Sequence, residues 1–376
     1  MGTDAWRNWR AFDGGNPESE NVDEDLYSDR SFVGSSPAHG PYDLSLVFGR
    51  GPDAHRTGMR LALKLHLAIH TTLLPEILRD GELVSANSDS YHGGFMSDEI
   101  VALISLSLGV RLRTAGTSRF SGRYLADSTA RPFYVEVPPL TTPGDRGREH
   151  IPATQTRGTD IGDLVRLDSL PGLSESDQVP LVRAARTYAQ GLWWSNEDPN
   201  LAWLQFVSAV EVAANHSQAV KSTPAELVQE LWPELWATLS GAGDDIQARV
   251  CEQAAPQARS TRKFIDFLEA YAPEPPEKRP PYSRLDWSRM REHARMIYGH
   301  RSRALHEGKP FPLPMLSQPG SEEEGTVQEV PYGLNAGGMG GVWDALETPM
   351  LLSTFEYIAR GALLNWWGTL SSNHQG

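Results

Sequence analysis

Cysteine is nearly absent from this sequence of 376 residues, in which Cys251 is the only one. One thiol can neither close a disulfide within its own chain nor build a cysteine-based zinc site. Long apolar runs are missing as well, since no stretch approaches the ~18 residues that cross a bilayer. The opening residues lack the basic segment and apolar stretch of a secretory signal. We therefore expect a cytoplasmic protein without a membrane span.

Positive charge is also scarce. The chain has 34 Lys and Arg against 48 Asp and Glu, a formal net charge of −14. This balance disfavours a general nucleic-acid coat, because such binding rests on cations that displace counterions from phosphates. A confined basic site remains compatible with it. A hydrophobic fraction of 39% with 11 each of Trp, Tyr and Phe is ample for packed cores and excludes wholesale disorder.

The length predicts about two domains, and the local composition suggests how they are arranged. Residues 1–40 are predicted to be an acidic flexible arm, because their acidic residues lie among Gly, Asn, Pro and Ser. Such an arm either is simply solvated or covers a basic surface. The clustered acidic residues are Asp13, Glu18, Glu20, Asp23, Glu24, Asp25 and Asp29.

Residues 41–170 are predicted to form a smaller mixed α/β domain. Leu61, Leu65, Ala68, Ile69 and Leu73 recur at helical spacing, and residues 99–108 repeat the pattern. Residues 131–139 alternate aromatic and β-branched side chains between prolines, which predicts a strand. Residues 141–162 have no apolar periodicity and indicate a loop or linker.

Residues 171–376 are predicted to be a helical bundle, so the fold class is mainly α. Thr223 and Glu226 have the spacing of a capping box, which marks one helix start. Residues 308–341 are rich in Pro, Gly and Glu and are predicted to be a long loop. The helices are expected at 181–194, 201–215, 223 onward, 244–254, 260–271, 286–307 and 342–370.

The most informative segment is 296–308, which contains Arg301 and His306 near the end of a predicted helix. The window 289–303 holds five arginines against Glu292, a local charge of +4 in an acidic protein. Residues five apart on a helix differ by about 140°. Arg301 and His306 can therefore serve one phosphate only at a helix edge that lines a cleft, or when two chains meet across a two-fold axis.

The two residue types suit RNA cleavage without a metal. A neutral imidazole at His306 accepts the 2′-hydroxyl proton, or a protonated one donates to the leaving 5′-oxygen. The Arg301 guanidinium holds the phosphate through two hydrogen bonds and stabilises charge that grows on it. Taken alone, an Arg-x4-His spacing is common in helices and has a structural explanation in most of them.

The run Ile297-Tyr298-x-x-Arg301-Ser302-x-x-Leu305-His306-x-Gly308 resembles the signature of the HEPN superfamily, in particular the Apea-like HEPN group. The segment 203–213, which contains Glu211, is similar to the helix that precedes this signature. Two positions differ from the family pattern. Ser302 stands where Asn, Asp or His is usual, and the glycine follows His306 by two residues instead of one.

The resemblance implies a HEPN-like bundle that forms a homodimer, with Arg301 and His306 of each chain facing a shared cleft. It implies a metal-independent endoribonuclease that acts on RNA, expected to be single-stranded, in a toxin or antiphage role and without a cofactor. Ser302 and Arg303 would support phosphate binding, and Glu211 would orient His306 or pair with Arg301. The N-terminal domain would bind an inhibitory or sensor partner. The alternative is a non-catalytic HEPN module that binds a protein, RNA or nucleotide.

Two further patterns indicate no site. His66 and His70 are four residues apart, but the sequence between them lacks the glutamate of a zinc-protease helix. The glycine-rich residues 337–341 have no strand before them and no Lys-Ser or Lys-Thr after them, so a connector is favoured over a phosphate loop.

Overall fold

A computed structural model describes residues 2–47, 60–71, 78–79, 82–83, 88–121, 123–124, 149–152, 158–217, 220–333 and 335–372. These residues are mainly helical and include a small antiparallel sheet. The chain divides into one unit of residues 1–198 and 367–376 and a second unit of residues 199–366. This boundary lies later than the 170/171 boundary expected from the sequence, because the helix Glu175–Trp194 packs against the helix Met96–Leu108.

The sheet of the first unit has five strands in the order β3-β4-β1-β7-β8. Two short two-stranded pairs, β2 with β9 and β5 with β6, accompany it. The strands are β1 (Glu20–Ser28), β2 (Phe32–Val33), β3 (Tyr42–Leu46), β4 (Arg60–Ile69), β5 (Leu78–Arg79), β6 (Glu82–Leu83), β7 (Arg113–Phe120), β8 (Arg123–Tyr124) and β9 (Thr159–Asp160).

The helix expected from Leu61 to Leu73 is wrong, because residues 60–69 form strand β4. Its side chains alternate between the core and the opposite face, and Leu63, Leu65 and Leu67 are buried. The period of two was present in the sequence, where Leu alternates with Ala, Lys and His. Pairing with β1 on one side and β3 on the other places this strand inside the sheet.

The flexible arm expected for residues 1–40 is also wrong. Residues 20–28 form β1, a central strand paired with both β4 and β7. Its carboxylates have partners on the neighbouring strands: Asp23 lies 2.7 Å from His66 Nδ1, and Asp25 lies 3.4 Å from Lys64 Nζ. Glu24 accepts a 2.6 Å hydrogen bond from the Thr117 hydroxyl. An acidic segment therefore becomes a buried strand because partners distant in sequence satisfy its charges.

Three α-helices accompany the sheet in the described part of the first unit: α1 (Asp4–Asp13), α2 (Met96–Leu108) and α3 (Glu175–Trp194). A 3₁₀ helix spans Ile161–Gly172. The helix expected at 99–108 is confirmed. The strand expected at 131–139 and most of the linker expected at 141–162 lie outside the described residues.

The second unit is built mainly from helices. Its α-helices are α4 (Pro199–Ser217), α5 (Pro224–Leu231), α6 (Pro233–Leu239), α7 (Asp244–Tyr271), α8 (Met290–His306) and α9 (Leu352–Ser372), whose last residues belong to the first unit. Short 3₁₀ helices span Trp287–Arg289, Leu313–Leu316, Glu323–Gly325 and Ala345–Glu347. Strands β10 (Asn335–Gly338) and β11 (Gly341–Asp344) form a hairpin.

Most of the expected helices of this half are present. The Thr223–Glu226 capping box is confirmed. The helices expected at 244–254 and 260–271 form one helix, α7, which accommodates Pro256 between the buried Ala255 and Ala258.

The segment 308–341 is more ordered than the long loop predicted from its composition. Phe311 and Met315 are buried, and the Phe311 ring stacks on Trp203 at 5.0 Å between centroids. The Trp203 indole donates to the Met315 carbonyl oxygen at 3.2 Å. The last helix begins at 352 and not at 342, because residues 341–344 pair in the hairpin.

Among the described helices, none combines the length and apolar character needed to cross a membrane.

Candidate functional site

Helix α8 carries most of the residues selected from the sequence. Its buried apolar residues are Met290, Ala294, Ile297 and Tyr298, which lie on one face of the helix at spacings of three and four. The helix ends at His306, where Gly308 adopts a left-handed φ of 65° and the Lys309 amide returns to the Arg303 carbonyl oxygen at 3.3 Å. A glycine at this position ends helices without the steric cost of a side chain.

The central contact of the site joins α8 to α4. Arg301 Nη2 donates to Glu211 Oε2 at 2.6 Å, and the Tyr298 hydroxyl donates to Glu211 Oε1 at 3.0 Å. The Arg301 guanidinium also lies 5.5 Å from the centre of the Tyr298 ring. Of the two roles expected for Glu211, the structure shows the one in which it pairs with Arg301.

Burial dominates the electrostatics of this cluster. Desolvation raises the pKa of Glu211, while Arg301 and the Tyr298 hydroxyl oppose that rise by stabilising the carboxylate. The pKa of Tyr298 is also raised, first by burial and then by the nearby Glu211. The guanidinium thus helps to keep a partly buried carboxylate charged.

Arg301 retains unused hydrogen-bonding capacity. Its side chain is 20% exposed, so it is not enclosed. Its Nε atom is buried without an acceptor among the described residues, and only Nη2 is engaged by Glu211. A buried donor without an acceptor costs about 1–3 kcal/mol, and such a cost favours the arrival of a further acceptor or a rearrangement of the side chain.

His306 and its neighbours lie at the exposed end of α8. His306 is exposed and makes no hydrogen bond with any described residue, and Leu305 is 51% exposed. Ser302 is half-buried. The offset of about 140° between Arg301 and His306 applies, since both lie on one continuous helix. A single helix therefore does not point both side chains at one ligand.

His300 and Arg303 form a second contact that the sequence analysis missed. Arg303 Nη2 lies 2.7 Å from His300 Nδ1, and His300 Nε2 lies 2.7 Å from the Glu347 carbonyl oxygen. A guanidinium only donates and a carbonyl only accepts, so Nδ1 is the acceptor and Nε2 carries the proton. Burial lowers the pKa of His300 to about 4, which agrees with this neutral tautomer. Arg303 is thereby fixed beside the site.

The basic character of the segment 289–303 is weaker than the residue count suggested. Arg289 pairs with Glu292 one turn away. Arg291 contacts carboxylates of two other helices, namely Glu230, Asp266 and Glu269. With Arg301 held by Glu211, only two of the five arginines lack an acidic partner in the described part of the chain, and these are Arg295 and Arg303.

His66 and His70 do not form a metal site together. His66 Nδ1 contacts Asp23, and His70 Nδ1 lies 2.8 Å from the Asn16 carbonyl oxygen. Residues four apart along an extended strand are separated by about 13 Å at ~3.3 Å per residue, too far to share an ion. No group of three or more His, Cys, Asp or Glu suited to a metal ion occurs in the described ranges.

Ser36, His39 and Asp168 form a hydrogen-bonded chain, with 2.7 Å from Ser36 Oγ to His39 Nε2 and 2.7 Å from His39 Nδ1 to Asp168 Oδ1. This is the connectivity of a nucleophilic triad. In a catalytic triad the carboxylate is buried and the histidine can reach the substrate. Here the imidazole of His39 is fully enclosed and Asp168 is 55% exposed, so the arrangement does not suit catalysis. The chain of bonds ties the loop at 36–39 to the 3₁₀ helix at 161–172.

Comparison of the chain with family models, with curated proteins and with solved structures gives no match in any of the three. The site is therefore described by its own geometry: an arginine anchored by a carboxylate, a second arginine held by a neutral histidine, and an exposed histidine at the end of the helix.

Proposed function

We propose that the chain is a metal-independent endoribonuclease of the HEPN type that works as a homodimer. The observation that carries the proposal is the 2.6 Å contact between Glu211 and Arg301, five positions before the exposed His306 on the same helix. An arginine fixed by a carboxylate on another helix is held ready for a phosphate, because its orientation is set before the ligand arrives.

The roles follow from the chemistry of each group. Arg301 would bind the scissile phosphate and stabilise the negative charge that builds up on it. His306 would take the proton of the 2′-hydroxyl or give one to the leaving 5′-oxygen. Arg303, fixed by His300, would add a phosphate contact, and Ser302 would line the same surface.

A two-fold dimer would resolve the angle between the two side chains. His306 of one chain and Arg301 of the other can meet where their helix ends face each other. Leu305 supports this arrangement, because an aliphatic side chain that is 51% exposed between them gives a second copy an apolar contact. The first unit would then serve as the sensor or as the surface for an inhibitory partner.

A second candidate is a non-catalytic HEPN module that binds a partner protein, RNA or a nucleotide. The neutralisation of Arg289, Arg291 and Arg301 by carboxylates favours it, because it weakens the attraction for a long phosphate backbone. Cleavage is the property that separates the two.

The test incubates the purified full chain with a pool of single-stranded RNA in EDTA. We expect cleavage by the wild type, loss of at least 100-fold in rate for His306→Ala and a comparable loss for Arg301→Ala. Arg295→Ala is the matched control, since it removes an exposed arginine of the same helix that has no acidic partner among the described residues.

Three results would count against the proposed activity or its assigned residues. If the wild type cleaves no RNA between pH 5 and pH 9, the non-catalytic binding module is the remaining candidate. Cleavage that persists in His306→Ala removes His306 from the chemistry. An equal loss in Arg295→Ala shows a general charge effect instead of a site at Arg301. Sedimentation of each variant checks that the dimer is unchanged.

A further inference from the structure

The first unit contains a cavity that the nuclease proposal does not use. It has a volume of about 210 Å³ and lies between α2, α3 and the start of β7. It is partly open to solvent, so a small ligand can enter it. The residues that line it are Asp98, Val101, Ala102, Leu112, Arg113, Arg186, Ala189 and Gln190.

Arg113 is the unusual member of this lining. Its guanidinium stacks on the Trp193 ring at 3.9 Å from the ring centre. It forms no hydrogen bond or ion pair with any residue in the described part of the chain. Burial lowers the pKa of Arg113, with only Asp98 opposing that effect. A desolvated cation without a hydrogen-bonded partner is costly, and an anion in the cavity would offset that cost.

The other polar side chains of the lining are already positioned. Asp98 Oδ2 accepts a 2.9 Å hydrogen bond from the Phe95 amide, which leaves Oδ1 available as an acceptor. Arg186 Nη2 donates to the Gly93 carbonyl oxygen at 3.0 Å, and its Nη1 lies 3.9 Å from Asp98. Two arginines and one aspartate leave the cavity with one positive charge in excess.

We propose that this cavity binds a small oxyanion whose carboxylate or phosphate oxygens pair with the Arg113 guanidinium. The planar fork of arginine matches both groups through two parallel hydrogen bonds. Stacking on Trp193 fixes the plane of the fork, so its edge stays available to the ligand. The free Asp98 Oδ1 selects ligands that also carry a hydroxyl group, because the carboxylate accepts that hydrogen bond and repels a second anionic group.

The test is isothermal titration of the full chain at low salt with two probes, L-lactate for the carboxylate and glycerol 3-phosphate for the phosphate. We expect at least one probe to bind at one site per chain. Arg113→Gln should weaken that binding at least tenfold. Arg10→Gln is the matched control, since Arg10 lies 5.7 Å from the centre of the Trp6 ring but not at the cavity, and it should change the affinity less than twofold.

Ala189→Leu keeps Arg113 and fills part of the cavity, so it decides the matter if Arg113→Gln does not fold. We expect it to weaken binding at least tenfold as well. Binding of one probe alone identifies the ligand as a carboxylate or as a phosphate. The proposal is overturned if neither probe binds the wild type, or if the folded variants bind as tightly as the wild type. Neither outcome bears on RNA cleavage, which depends on residues of the second unit.

Discussion

Arg301 and Glu211, 90 positions apart in the chain, are joined by a 2.6 Å hydrogen-bonded ion pair that links helix α8 to helix α4. The pair holds the guanidinium in place and offsets part of the cost of its partial burial. It also sets a condition on phosphate binding, because a phosphate must share Arg301 with Glu211 or use the Nη1 side of the fork.

The first prediction concerns the energy of this pair. Glu211→Gln removes the negative charge and leaves Arg301 without its counterion, so we expect the free energy of unfolding to fall by about 1–2 kcal/mol. This is less than the 3–5 kcal/mol typical of a fully buried pair, because both side chains are partly exposed. Arg301→Gln should cost a similar amount, and the double variant should cost less than the sum by about 1 kcal/mol. Urea denaturation of the four proteins measures the coupling.

Two further variants test whether the effect belongs to the pair. Tyr298→Phe should cost about 1 kcal/mol through the lost hydrogen bond to Glu211. Arg295→Gln should leave the stability unchanged, because this side chain is exposed and has no acidic partner in the described ranges. Strict additivity of the Glu211 and Arg301 variants would show that the contact contributes nothing to stability.

The second prediction concerns pH and His300. Its pKa is about 4 in the folded chain against 6.5 as the ordinary value, because burial disfavours the charged ring. Between these values the unfolded state binds more protons, so stability falls as the pH drops from 6.5 to 4. The full difference corresponds to about 3 kcal/mol. His300→Gln keeps one donor for Glu347 and one acceptor for Arg303 but cannot titrate.

We therefore expect His300→Gln to resemble the wild type at pH 7 and to lose less stability at pH 4.5. The difference between the two proteins cancels the contribution of carboxylates that titrate in both. His306→Gln is the control, since it replaces an exposed histidine of the same helix. Parallel pH profiles for wild type and His300→Gln would show that the ring is not held neutral by its surroundings.

The third prediction concerns the docking of α1. Glu99 is fully buried, and its carboxylate accepts hydrogen bonds from the Asp4 and Ala5 amides at 3.1 and 2.7 Å. These are first-turn amides that the helix itself leaves without partners. Glu99→Gln weakens this cap, and we expect amide exchange in residues 4–13 to rise at least tenfold, about 1.4 kcal/mol.

Glu18→Gln is the matched control for that experiment, because Glu18 is exposed and contacts only Asn21 among the described residues. It should leave the exchange of residues 4–13 unchanged. Fast amide exchange of residues 4–13 in the wild type would instead show that this segment is flexible, as its composition predicted.

The helical half of the fold was readable from the sequence, because its signals are local. Apolar spacing along Ala294, Ile297 and Tyr298 and the cap at Thr223 depend on residues within two turns, which are close in any helix. The strand β4 was misread although its alternation is equally local, because a few of its leucines also fit a helical spacing.

The helices and the chemical groups at the end of α8 follow from local patterns along the chain. Which of the charged groups are paired depends on the fold. The fold neutralises Arg291 and Arg301 with carboxylates far along the chain and turns an acidic segment into a central strand. It also leaves Arg113, beside a cavity, without a hydrogen bond or ion pair to any described residue. This difference arises because a helix depends on neighbours three or four positions away, whereas the energy of a charge depends on the groups that the fold places within a few ångströms of it.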